Sequence, residues 1–160
     1  MNDTRMFAFE SDFVASLKCI PMAVRLKLDR CGIKLTLRQW SRFTRQDRQD
    51  LLLRPCAAPQ ERRAYREALV ALVALRTGDD ARPLPAPVAE AWEDPRSIPT
   101  AVRAQARSLG LAPPGDTEWV ALSALQRFTL IKLSRDSHDN VNFAPAMAEF
   151  GLVPAAAAVG

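Results

Sequence analysis

The sequence points to an all-α protein of about seven to nine helices, and three observations carry that expectation. First, the stretch 20–54 returns in degenerate form at 98–135. Ile20-Pro21-Met22-Ala23-Val24-Arg25 matches Ile98-Pro99-Thr100-Ala101-Val102-Arg103, and Gly32-Ile33 matches Gly110-Leu111. Trp40, Phe43-Thr44, Arg48 and Leu51 match Trp119, Leu122-Ser123, Arg127 and Leu130. The register slips by one residue between the glycine and the tryptophan, as a single loop insertion would give. A unit repeated in this way is a supersecondary element that buries its apolar face against a neighbour. Second, Tyr65, Ala68, Leu69, Leu72 and Val73 fall on one face at helical spacing. Third, helix punctuation sits where that periodicity stops, with Gly32, Gly78 and Gly151 as terminators. Thr44-x-x-Asp47 and Ser123-x-x-Gln126 read as capping boxes at matched repeat positions.

In chain order, Phe7-Ala8-Phe9-Glu10 reads as extended, and Ser11 can cap a short helix through about Lys18. Pro21 suits a first helical turn, where its missing N–H costs nothing, so a helix runs to Cys31. The same residues also offer a strand pattern. Val24, Leu26 and Leu28 alternate with Arg25, Lys27 and Asp29, and Ile33, Leu35 and Leu37 with Lys34 and Thr36. The second copy, Ala101 to Leu109, has strong helix formers without that alternation and decides for helix. Thr36 caps a helix over 37–43, with Leu37, Trp40 and Phe43 inward and Arg38, Arg42 and Arg45 outward at i, i+4, i+7. The next helix runs from about Gln60 to Arg76.

Residues 78–97 form a stiff connector rich in proline, with a few helical residues around Trp92. It joins the repeat halves 7–77 and 98–152 of one domain spanning 1–160. Pro113-Pro114-Gly115 forces a turn, and helices follow over 117–122 and 124–134. The latter is apolar almost all round and is expected to be the central buried helix. After a polar loop to Val141, Asn142 caps a last helix over 143–150, and the tail beyond Leu152 frays.

Composition narrows the functional classes. A chain of 160 residues with 48% hydrophobic and 25% charged content has enough apolar surface for a packed core. The net charge of +4 is uneven: residues 1–54 carry 11 basic against 6 acidic side chains, and 116–160 carry 3 against 5. A basic first half permits an anionic partner. Asp3, Glu10 and Asp12 interrupt any leader-like apolar run, and no apolar stretch reaches membrane-spanning length. Cys19, Cys31 and Cys56 are odd in number and lack C-x-x-C spacing, which suits buried thiols in a reducing cytoplasm. No G-x-G-x-x-G or G-x-x-x-x-G-K run is present, which argues against a nucleotide-using enzyme.

His138 is the only histidine, in Ser137-His138-Asp139-Asn140. Beside Asp139 it has the elements of a general base or metal ligand, yet no G-x-S-x-G nucleophile accompanies it. A tethered loop is the plainer reading. The Arg38/Arg42/Arg45 stripe, with Lys34 and Arg48 near it, is the strongest surface feature. It reads as a solvated helix face, as a dock for an acidic protein patch, or as a grip on nucleic-acid phosphates. The Cys31-Gly32-Ile33 turn between two helices resembles a helix-turn-helix. Arg48 and Arg127 hold equivalent repeat positions, so each is expected to bridge a carboxylate or helix-end carbonyls inside the fold, with Asp29 and Glu149 as available acids.

Several strings together resemble one family. They are Phe7-x-Phe9-Glu10-x-Asp12-Phe13, Cys19-Ile20-Pro21-Met22, and Val24-Arg25-x-Lys27-Leu28-Asp29-x-Cys31-Gly32-Ile33-Lys34-Leu35. In the second half they are Gln126-Arg127-Phe128-x-Leu130-Ile131-Lys132-Leu133-Ser134-Arg135, His138-x-Asn140-x-Asn142-Phe143 and Glu149-Phe150-Gly151-Leu152. The chain resembles the bacterial nitrate reductase-associated proteins, small proteins encoded near assimilatory nitrate reductase genes. It departs from their pattern at Asp139, where Glu is expected, and at Asp136-Ser137, in place of Pro-Gly. The resemblance implies a cytoplasmic, non-enzymatic accessory role in nitrate assimilation, with nitrate reductase or a maturation factor as partner, and no cofactor. It brings no catalytic residues. Lys34, Arg38, Arg42 and Arg45, with the loop His138, Asp139 and Asn140, are the expected partner contacts. A nucleic-acid-binding regulator using the arginine face is the alternative, and a small enzyme or metal protein using His138 and the cysteines is the third reading.

Overall fold

In the computed structural model, residues 6–10, 20–84, 91–135 and 140–153 are described. They form eight α-helices and one two-stranded antiparallel ribbon. The helices are α1 (Met22–Cys31), α2 (Leu37–Arg42), α3 (Arg45–Leu53), α4 (Pro59–Thr77), α5 (Thr100–Ser108), α6 (Asp116–Ala121), α7 (Ala124–Arg135) and α8 (Phe143–Glu149). The strands are β1 (Ile33–Lys34) and β2 (Arg82–Pro83). The chain divides into two compact units, one within Glu10–Val88 and the other combining Phe7–Phe9 with Ala89–Gly160.

In the N-terminal unit the helical reading of α1 wins over the strand reading. Val24, Leu26 and Leu28 are buried, but so are Met22, Ala23 and Lys27, which a one-sided strand would not allow. Gly32 ends the helix at φ 74, a left-handed conformation that favours glycine. The Arg66 guanidinium donates to the carbonyls of Cys31 and Gly32 and ties α4 to that turn. α4 turns Tyr65, Leu69 and Val73 into an apolar cluster with Trp40, Phe43, Leu51 and both described cysteines. The Tyr65 hydroxyl donates to the Leu51 carbonyl at 2.8 Å, so its polar end is satisfied inside the core. The Lys27 ammonium, 1% exposed, donates to the Leu52 carbonyl at the end of α3.

In the C-terminal unit α7 is central, as its all-round apolar sequence predicts. Leu125, Phe128, Leu130, Ile131 and Leu133 are all buried, and α5 and α8 pack on it. A 3₁₀ turn over Ala91–Glu93 sets the Trp92 ring edge-on to Phe128, with centroids 5.1 Å apart. Phe7 stacks on Phe9 and tilts against Phe150, while the Glu149 carboxylate accepts the backbone N–H groups of Ala8 and Phe9.

Both units contain a helix after proline, a glycine turn, a short helix and a capped helix. Thr44 and Asp47 exchange both capping-box bonds at α3, and Ser123 and Gln126 do so at α7. The Arg48 guanidinium donates to the Phe43 carbonyl just past α2, and Arg127 donates to the Trp119 carbonyl near the end of α6 and to Leu122 just past it, the carbonyl alternative of the two expected for these arginines.

Five sequence expectations need correction. Residues 8–10 form a 3₁₀ turn and not an extended segment, because backbone N–H groups of Ala8 and Phe9 are gathered by Glu149. Leu37 is 44% exposed: α2 stops at Arg42 and Phe43 reaches the core through an extended cap residue, so the inward stripe shrinks to Trp40. Arg45 opens α3 rather than continuing α2, so the arginine stripe crosses a helix break. Asn142 does not cap α8, since a 3₁₀ turn over 140–142 already holds it in the helical region. Part of the connector, Arg82–Pro83, is a strand. The expected helix over 11–18 lies outside the described residues.

Candidate functional site

The N-terminal unit holds a charged groove of about 680 Å³ where β1, β2 and the start of α2 meet. Thr36 caps α2 by accepting the Gln39 N–H at 3.1 Å, and the Gln39 side chain returns to the Thr36 N–H at 3.0 Å. That exchange buries Gln39 to 7% exposure and leaves its amide nitrogen to donate to Asp79 Oδ2 at 3.4 Å. Asp79 follows the α4 terminator Gly78, and its own N–H donates to Thr77 Oγ1. The Arg38 guanidinium reaches Asp79 only at 4.0 Å, and its side chain stays 72% exposed. An ion pair so long and so wet contributes little stability, so Arg38 remains available.

Across the ribbon, Lys34 is in register with Arg82, and both are exposed. Like charges directly opposite on paired strands repel. Lys34 and Arg82 line the groove with Arg38, against Asp79 and Asp80. Arg42 and Arg45 are exposed on the adjoining helices, and among the described residues neither has an ion-pair partner. Asp47 of α3 is engaged: it takes Arg76 Nε at 2.8 Å, and that bond, with Thr44, holds its carboxyl below the ordinary value of 3.8.

Of the residues expected from sequence, the structure brings Lys34 and Arg38 into one groove and leaves Arg42 and Arg45 outside its lining. His138 and Asp139 lie outside the described residues, and Asn140 opens the 3₁₀ turn before α8. Arg82, Asp79, Asp80 and Gln39 were not legible as site residues. Lys34 and Arg82 meet only through strand pairing across α2–α4, and although Lys34 lies in an alternating stretch, Arg82–Pro83 carries no periodic signal.

Cys31 and Cys56 are buried in the apolar cluster, where desolvation pushes their thiols up to about 11 and about 12. Their sulfurs donate to the Leu28 and Lys27 carbonyls. Such thiols are packing residues. Among the described residues, no group of three or more His, Cys, Asp or Glu side chains is placed to hold a metal ion. No described helix is long and apolar enough to cross a membrane.

The fold and site together are those of a mainly helical protein that carries a polar, mixed-charge groove on its short elements. The chain belongs to the family of conserved nitrate reductase-associated proteins, whose model matches residues 6–150. Comparison with curated proteins and with solved structures gives no match.

Proposed function

We propose that this protein is a non-enzymatic, cytoplasmic accessory factor of assimilatory nitrate reduction that binds nitrate reductase or one of its maturation factors. Its family is described as nitrate reductase-associated. The observation that supports the reading is the set of exposed cations of the N-terminal unit: Lys34, Arg38 and Arg82 line the groove, and Arg42 and Arg45 are exposed on the adjoining helices. His138, Asp139 and Asn140 are a second proposed contact. Interleaved Asp47, Asp79 and Asp80 suit a patterned protein surface better than a uniform phosphate backbone, which would meet their repulsion.

The test is affinity capture of the tagged protein from nitrate-grown cells, with mass spectrometry and a parallel nucleic-acid stain. Nitrate reductase or a cofactor-insertion protein is expected in the eluate. An Arg38→Glu/Arg42→Glu double variant should lose it while keeping the wild-type far-ultraviolet circular dichroism. Recovery of nucleic acid alone, lost steeply as salt rises, would replace this reading with that of a regulator.

A further inference from the structure

We infer that the groove binds a single carboxylate side chain carried on an extended segment of the protein partner, received between Lys34 and Arg82 and completed by Arg38. The inference deepens the accessory reading, since it rests on this face meeting a protein.

Three features of the groove specify that occupant. The first is the Lys34–Arg82 rung. Two cations opposed on neighbouring strands, both in water, are a local cost that the ribbon does not need for its own pairing. An anion between them converts the repulsion into two charge-assisted hydrogen bonds. The second is the charge count. Three cations, Lys34, Arg38 and Arg82, face two carboxylates, Asp79 and Asp80, which leaves the groove at net +1. That balance complements a carboxylate monoanion, whereas a phosphate dianion or a nucleic-acid backbone would bring excess charge against the two aspartates. The third is Arg38 itself. Gln39 and the Thr77 hydroxyl fix Asp79 in place, but Arg38 sits 4.0 Å from it, so a ligand carboxylate can draw the guanidinium across without breaking a close pair.

The ribbon also argues for capture through side chains. β2 contains Pro83, which has no N–H to offer an added strand. The groove, about 680 Å³, has room for a short stretch of chain around the acidic residue.

The test titrates the intact protein with an end-blocked Ala/Ser hexapeptide carrying one central Glu, at about 0.15 M salt where long-range attraction is screened. Backbone amide shifts of Lys34, Arg38 and Arg82 report binding. Matched probes carry Gln or phosphoserine at the same position, and a short single-stranded oligonucleotide is the fourth. The Glu peptide should shift these amides saturably and bind at least about tenfold more tightly than the Gln peptide. Lys34→Gln/Arg82→Gln should abolish the shifts while leaving the melting temperature equal or higher, because the like-charge rung is gone. Asp79→Asn, which frees Arg38 from its competitor, should tighten binding roughly threefold. Equal binding of the Glu and Gln peptides, tighter binding of phosphoserine or oligonucleotide, or no shift at all would overturn the inference. Capture of nitrate reductase by the Lys34→Gln/Arg82→Gln protein would overturn it while leaving the accessory reading intact. Peptide binding without capture of any nitrate-reduction protein would leave the groove chemistry standing and remove the accessory reading.

Discussion

Arg127 is 7% exposed, and its guanidinium donates to the carbonyls of Trp92, Trp119 and Leu122. Burial pushes its pKa below the ordinary arginine value, opposed by the charges of Glu93 and Asp94, and the side chain stays cationic. Three carbonyls from two segments are therefore satisfied by one residue. Arg127→Gln cannot reach all three, and the orphaned acceptors should cost about 2–4 kcal/mol in urea unfolding. Arg48, half-buried with one carbonyl acceptor, Phe43 just past α2, and its Cζ 6.0 Å from the Trp40 ring centroid, should cost less on the same change. A loss at Arg127 no larger than at Arg48 would refute this assignment. A bridging role inside the fold was readable for both arginines from their equivalent places in the sequence, with carboxylate and helix-end carbonyls as the open alternatives. The acidic partners suggested for them were not: Glu149 is occupied with the N–H groups of Ala8 and Phe9.

Among the elements, α3 is held at its start by an exchange that answers to pH. Asp47 accepts the Thr44 N–H at 2.8 Å and binds Arg76, and both contacts favour its ionised form. Its folded pKa is therefore lowered, so the stability it contributes is complete above the ordinary value of 3.8 and fades as pH falls through the lower folded value. Asp47→Ala should cost about 1 kcal/mol near neutral pH, with the gap to wild type closing at the acid end of a pH series of unfolding curves. A gap unchanged down to pH 2 would show that ionisation is irrelevant there. Long elements and caps were the legible part of this fold: α4 follows from apolar spacing and Gly78, α7 from its all-round apolar run, and α1 from Pro21, Gly32 and its second copy against a competing strand pattern. The 3₁₀ turns were not, because three residues carry no period; of the ribbon, Ile33 and Lys34 lie in the alternating pattern that offered a strand, but their partner Arg82–Pro83 lies far off in sequence. The groove inherits that opacity. Lys34 and Arg38 stood out as charges beside a predicted helix, while Arg82 and Asp79 became site residues only through pairing with β1 and the capping of α2.

On the scale of the whole molecule, unit membership does not follow chain order. Phe7, 1% exposed, sits with Phe9 and Phe150 in the C-terminal unit. Phe7→Ala removes a buried ring and should lower stability by about 3 kcal/mol, with faster amide hydrogen exchange in α8. Unchanged exchange there would mean that the ring does not support this unit. The arrangement also imposes an order of assembly in the cell. Ala8 and Glu149 are 141 positions apart. At ordinary elongation rates of roughly 5–20 residues per second, the early aromatic pair leaves the ribosome several seconds or more before its acceptor exists. For that interval two large apolar rings wait in water, and the C-terminal unit cannot close until translation has passed α8.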